Sequence, residues 1–277
     1  MNIQFDEIPP HSNILLIDGS YYCFQAYYRI ISWWNRAHPG EKLEELSETF
    51  IAKYKKTFID NLHTLPRAIG ILKGQDTVMF IGKDCRRADI WRNEFIEQYK
   101  GTRDADRDKR GFLGGPLIKM AYEEKLFIQG GAKSIMWHPR LEADDCIAIT
   151  IKRMLVECPT CKIYVITSDK DYLQLAGDRV LLYDMNYNKL TEQKSSTGDA
   201  KRDLFCKILM GDISDNIPSV FPKCGIKTAL KYYANPEMLP KKLAENEEYK
   251  KRYELNKMLI DFECIPEKWV NEFLANT

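Results

Sequence analysis

Five short apolar, β-branched runs are spaced along the first two-thirds of the chain: Asn13–Ile17, Thr77–Ile81, Ser134–Trp137, Ile163–Thr167 and Arg179–Tyr183. The first is continuously apolar over "ILLI" rather than alternating, as expected of a strand buried on both faces. Between these runs the spacing of apolar positions changes to that of a helix. Glu142–Glu157 places Ala143, Ile147, Ile151 and Leu155 along one face, and Pro116–Ile128 opens on a proline, a residue favoured at a helix start. Strands alternating with helices predict an α/β fold with a mainly parallel central sheet flanked by helices. After about residue 200 the strand signals stop, and the chain reads as helices and turns. We therefore expect an α/β core over residues 1–200 and a helical region over 201–277.

Acidic residues cluster where these strands end. Asp18 directly follows "NILLI", Asp84 follows "TVMFIG", "EADD" follows the third strand after a short loop, and Asp169 and Asp171 follow "IYVITS". In an open parallel sheet, ligands bind beyond the carboxyl ends of the strands. Four acidic groups on one edge therefore predict a single site rather than scattered helix caps. Four carboxylates about 5 Å apart make six repulsive pairs of about 3 kcal/mol each at an effective dielectric near 20. The total, on the order of 20 kcal/mol, exceeds the net stability of a typical domain, about 5–15 kcal/mol. Such a cluster must bind cations or protonate. Oxygen-only donors favour Mg²⁺ or Mn²⁺ over zinc, and this many acids could hold two ions about 4 Å apart.

Composition changes this picture in three ways. The 277 residues carry 41 basic and 40 acidic side chains, a formal charge of +1. Setting aside the nine clustered acids leaves 41 against 31, a basic body around an acidic pocket, which suits a polyanion held over metal ions. No apolar run is long enough to span a bilayer, and "MNIQFDEIPP" contains no apolar secretory core. The expectation is an intracellular protein, cytosolic or nuclear, whose eight cysteines are mostly reduced. "CPTC", with Cys158 and Cys161, has no second ligand pair at a zinc-site spacing and reads as a loop.

"IDGS", "EADD", "TSDKD" and "GDISDNIP" resemble, in order and spacing, the motifs of structure-specific 5′ nucleases: flap endonucleases, phage 5′ exonucleases and the 5′-nuclease domain of bacterial DNA polymerase I. "WRNEFIEQYKGTR", residues 91–103, resembles that family's Arg…Tyr-Lys…Arg segment. The likeness runs from about residue 13 to 233. It implies a PIN-like 5′-nuclease fold with a helix-hairpin-helix-type DNA-binding region, two Mg²⁺ ions for which Mn²⁺ substitutes, and hydrolysis of DNA phosphodiesters. The substrates implied are 5′ flaps, branches, nicks or 5′ ends, met by a monomer with no membrane or small-molecule partner.

Carried over by position, the resemblance puts Asp18, Asp84, Glu142, Asp144 and Asp145 around a first metal and Asp169, Asp171, Asp212 and Asp215 around a second. Lys100 and Arg103 match a basic pair above the scissile phosphate, with Arg92 helping from two turns earlier on the same predicted helix. Tyr99 reads either as a stacking partner for a base or as a core tyrosine. Residues 104–115, within a gateway segment near 101–131, bring Arg107, Lys109 and Arg110 to guide a single strand. Residues 216–232 match a hairpin for duplex DNA, with Lys223, Gly225, Lys227, Thr228 and Lys231 as contacts and K⁺ at the turn. Lys223 stands where the family has its first hairpin glycine. The aromatic run at 21–34 is expected mostly to pack on the sheet. Two rival readings are a PIN-like ribonuclease and a non-catalytic binder of DNA junctions; the hairpin-like segment disfavours the first and the full acid set the second.

Overall fold

The computed structural model describes residues 8–40, 47–101 and 112–276. Strand β1 is Asn13–Asp18, followed by helices α1 (Gly19–Ala37) and α2 (Glu48–Ala68) and strand β2 (Thr77–Gly82). Helix α3 (Gly115–Glu123), the single turn α4 (Leu126–Gln129) and strand β3 (Ser134–Met136) come next, then α5 (Ala143–Glu157), β4 (Lys162–Ile166) and β5 (Val180–Tyr183). The remaining helices are α6 (Ala200–Met210), α7 (Ile226–Ala234), α8 (Met238–Ala244), α9 (Glu247–Ile260) and α10 (Glu267–Asn276).

The five strands form one parallel sheet in the order β3-β2-β1-β4-β5. Along β1 the side chains alternate between two cores. Ile14 and Leu16 join Phe80, Ile163 and Val165 on the face covered by α5, whose Ile147, Ile151 and Met154 are buried there. Leu15 and Ile17 join Met79, Ile81, Tyr164 and Ile166 on the opposite face, covered by α1, α2 and α3. A strand walled on both sides must be apolar at every position, which accounts for "ILLI". From the aromatic run, Tyr22, Tyr27 and Trp34 are buried in this second core.

The chain moves from β1 outward to β2 and β3, then returns to the other side of β1 for β4. The order reverses between β1 and β4, the place where open α/β sheets form a ligand crevice beyond their carboxyl ends. The fold is thus a parallel sheet flanked by helices with a helical C-terminal part, in which Phe262, Ile265 and Phe273 join the α5 core and two smaller clusters hold the rest. One joins Ile208, Ile217, Leu259 and Ile260 to Ile90 and Tyr99; the other packs Cys206, Leu209, Val220, Phe221, Ala229 and Leu239.

Two local expectations differ from the structure. Pro116–Ile128 is not one helix, because Lys125 turns left-handed at φ 56° and starts a new turn. That break lets Leu117 and Ala121 of α3 and Leu126 and Phe127 of α4 enter the same core. Residues 91–100 are not a helix but a 3₁₀ turn at Trp91–Glu94 followed by turns, with Lys100 at φ 55°. Here inward hydrogen bonds from Trp91, Arg92, Tyr99 and Lys100 set the path in place of an i,i+4 ladder. Cys158 and Cys161 lie in the turn between α5 and β4 as buried free thiols, and burial pushes Cys158 up to about 11.

Candidate metal centre

Asp18 ends β1 and caps α1, its Oδ1 accepting the Tyr21 N–H at 2.9 Å. Asp84, just past β2, accepts the Ala143 N–H at 2.8 Å through Oδ1 and the Ser20 hydroxyl through Oδ2. Asp169 follows β4 and accepts the Asp171 N–H at 3.0 Å. Asp212 accepts both the N–H and the hydroxyl of Ser214 at 2.7 Å through Oδ1. These acids are helix or turn caps and, at the same time, members of one constellation.

A cavity of about 210 Å³ opens at the sheet's carboxyl edge, lined by Asp18, Asp84, Glu142, Asp144 and Asp169 together with Lys100, Tyr21 and Phe24. Carboxylate oxygens of Glu142, Asp144 and Asp145 lie within 4.8 Å of one another, and so do those of Asp171, Asp212 and Asp215. The grouping differs from the expected one in two respects: Asp169 lines the cavity with the first set, while Asp171, Asp212 and Asp215 form the second, and Asp145 lies outside the cavity lining. Gly211 makes the second set possible. At φ 68° it closes the turn from α6 into Asp212, and a Cβ there would meet the Ile217 carbonyl oxygen at 2.4 Å.

The floor of the cavity is an ion-pair network. Glu142 accepts Lys100 Nζ at 2.5 Å through Oε1, and Arg92 and the Tyr99 hydroxyl, each at 3.0 Å, through Oε2. Asp145 accepts Arg92 in two bonds of 2.7 and 2.8 Å, the Trp91 indole at 3.0 Å and the Glu142 N–H at 3.2 Å. It is fully buried and absent from the cavity lining, so its oxygens hold Arg92 and the start of α5. Arg92 is likewise buried under Glu142 and reaches across to the Leu259 carbonyl at 2.8 Å, a strut below the cavity rather than a cation above it. Tyr99 follows the core alternative: it is buried, and its hydroxyl lies 3.0 Å from Glu142 and 3.3 Å from Asp215.

Charge in this region is poorly compensated, with Arg92, Lys100 and Lys207 pairing with members of the nine-acid set. Burial, then the charges of Asp84 and Asp169, push the Asp18 carboxyl up to about 7. Burial and neighbouring Asp169 do the same to Asp171. Asp144 is pushed well above the carboxylate range by burial and by Asp145 and Glu142. Glu142 goes the other way: burial would raise it, but Lys100 and Arg92 hold it below the usual value. Raised acids beside a held carboxylate are what a cation site looks like when proton and metal compete for the same oxygens. Donors that are all carboxylate oxygens suit a hard divalent ion.

Arg103, Arg107, Lys109 and Arg110 lie outside the described residues. In the hairpin, Lys223 takes the left-handed conformation at φ 59°, so the lysine keeps the turn a glycine would otherwise make. Gly225 caps α7, Lys223, Lys227 and Lys231 are exposed, and Thr228 is half-buried. Lys207, whose Nζ forms an ion pair with Asp171 at 2.7 Å and donates a hydrogen bond to Asp212, was not anticipated. Its signal was a lone cation in the otherwise apolar run "LFCKILM", one turn before Gly211.

A family model described as "5'-3' exonuclease, N-terminal resolvase-like domain" matches residues 13–199. A 5′-3′ exonuclease of Buchnera aphidicola (subsp. Schizaphis graminum) is 27% identical over 225 residues, covering 78% of this chain and 68% of that protein. A ribonuclease H of Enterobacteria phage T4 is 30% identical over 204 residues, covering 66% of this chain and 64% of the phage protein. In fold, the chain is similar to the 5′-exonuclease of phage T5 with zinc bound, at a TM-score of 0.62 and 16% identity over 95% of this chain and 97% of that one. A T5 flap endonuclease complex with DNA and metal ions superposes equally well, at a TM-score of 0.63, 16% identity and the same coverage. With all five strands, the acids from Asp18 to Asp171 and the greater part of the sequence falling within the family match over residues 13–199, the chain belongs to the 5′-3′ exonuclease family.

Proposed function

We propose that this chain, a metal-dependent 5′ nuclease by family, hydrolyses DNA phosphodiesters at 5′ flaps, branches, nicks and 5′ ends with two Mg²⁺ ions. The observation that carries the proposal is the cavity uniting Asp18, Asp84, Glu142, Asp144 and Asp169 at the sheet's carboxyl edge, with the Asp171, Asp212 and Asp215 group alongside. When bound, divalent ions there supply Lewis acidity and a lowered pKa for the attacking water.

The chain's own groups do the rest. Lys100 is among the residues lining the cavity, its Nζ held by Glu142, and its backbone N–H bonds the Asp215 carbonyl at 3.1 Å. A fixed cation there stabilises charge on the non-bridging phosphate oxygens. Arg103 is assigned the same task, and Arg107, Lys109 and Arg110 the guiding of a single strand. Lys223 and Lys227, exposed around the N-terminal end of α7, and Lys231, exposed in its last turn, are assigned to duplex phosphates, with K⁺ at the hairpin turn. The protein is proposed to act as a monomer inside the cell, and no helix among the described residues is long and apolar enough to cross a membrane.

The test is a 5′-labelled flap DNA, a nicked duplex and an RNA·DNA hybrid, each with Mg²⁺ or with EDTA. The hybrid is included because the T4 relative is named for ribonuclease H activity. The wild type should cut flap DNA only with Mg²⁺. Asp18→Ala and Asp169→Ala should lose at least about a thousandfold in rate while retaining DNA binding. Near-normal turnover by either variant would remove the metal assignment.

A further inference from the structure

The two carboxylate groups differ in one respect that their residue types do not reveal. Among the described residues, Asp18, Asp84, Asp144 and Asp169 have no lysine or arginine within ion-pair distance. In that first group, the acids of the cavity, only Glu142 is paired, with Lys100 and Arg92, whereas in the second group one lysine lies against two of the three acids. From α6, Lys207 places Nζ 2.7 Å from Asp171 Oδ1 and also pairs with Asp212 Oδ2. The oxygens of Asp171, Asp212 and Asp215 that could hold an ion lie within 4.8 Å of one another, so the ammonium sits on the edge of that set. An ammonium and a divalent ion draw on the same carboxylates and repel each other, so Lys207 against Asp171 Oδ1 and Asp212 Oδ2 opposes an ion held by those residues. The lysine can leave: its four-carbon stem is flexible, it rises from the last turn of α6, and its side chain is 21% exposed.

We propose that Lys207 is a tethered competitor for the second divalent ion. It pairs with Asp171 and Asp212 when ions are scarce and withdraws before an ion binds there, so the two sites load in order, the Asp18 cavity first. This rests on the two-ion reading above. A site open only in the fraction of molecules whose Lys207 has withdrawn shows an apparent Kd raised by the inverse of that fraction.

The experiment is Mn²⁺ calorimetry on metal-stripped wild type, Lys207→Met and Lys207→Arg. The wild type should bind two ions with unequal affinity. Lys207→Met should tighten the second by about tenfold or more and leave the first within about twofold, while Lys207→Arg stays weak at the second. A second Kd that is unchanged or weaker in Lys207→Met, with two ions still bound, overturns the inference and leaves the two-ion reading standing. No Mn²⁺ binding by the wild type overturns both. Should Lys207→Met fail to fold, amine labelling of the wild type decides. Acetylation of Lys207, followed by mass spectrometry, should rise several-fold with saturating Mn²⁺, and a flat or falling level contradicts the proposal.

Discussion

Asp18, Asp84, Asp169 and Asp212 each commit Oδ1 to a backbone N–H, which fixes the side chain; the second oxygen of Asp84 takes the Ser20 hydroxyl and that of Asp212 takes Lys207. Helix capping and the proposed ion binding would draw on the same residues, because both need an acceptor held rigidly at the end of an element. The proton balance follows. Asp18 and Asp171 have folded-state pKa values of about 7, above the ordinary 3.8, so between those values the fold holds protons the unfolded chain has released. Their contribution to stability is full below about pH 4 and is lost as pH rises through about 7. A divalent ion replaces the protons, so Mg²⁺ should raise the unfolding temperature more at about pH 8 than at about pH 5. Equal shifts at both pH values would contradict the site. Arg92 and Asp145 test a different role. Both are buried and bonded to each other, so Arg92→Met leaves Asp145 without a cation and Glu142 with Lys100 alone, and should cost about 3–5 kcal/mol in urea unfolding. A variant as stable as the wild type would show that Arg92 is not a strut.

At the scale of elements, the hairpin and α7 present Lys227 and Lys231 to solvent. If they contact phosphates, replacing each with Ala should weaken DNA binding uniformly across sequences and lower the salt slope by about one ion. An unchanged slope would move the duplex path elsewhere. How far the sequence announced its elements depended on whether periodicity or side-chain chemistry set the backbone. All five strands and α5 fell within about a residue of expectation, because burial on both faces or along one stripe leaves a regular pattern. Residues 91–100 follow no such pattern. Trp91, Arg92, Tyr99 and Lys100 all turn inward to carboxylates distant in sequence, so their path became visible only in three dimensions. The break at Lys125 was hidden for another reason: no glycine or proline marks it. Lys207 was missed because its partners arrive from the 3₁₀ turn that follows β4 and from the turn at Gly211.

For the whole molecule, the reversal of strand order between β1 and β4 is what brings the acids together. Asp18 leaves the sheet toward the α1 face, Glu142 and Asp144 come from the start of α5 on the other face, and Asp169 follows β4 across the reversal. The acids were legible in sequence as strand-end residues. Their division was not, since Asp169 joins the first group in space while its near neighbour Asp171 joins the second. A near-neutral net charge of +1 hides this separation of an acidic edge from a basic body. The most direct measurement of the central claim is anomalous diffraction from crystals soaked in Mn²⁺. One peak should fall among Asp18, Asp84, Glu142, Asp144 and Asp169, and a second, weaker one beside Asp171, Asp212 and Asp215. Peaks confined to other surfaces, or none at saturating Mn²⁺, would contradict it.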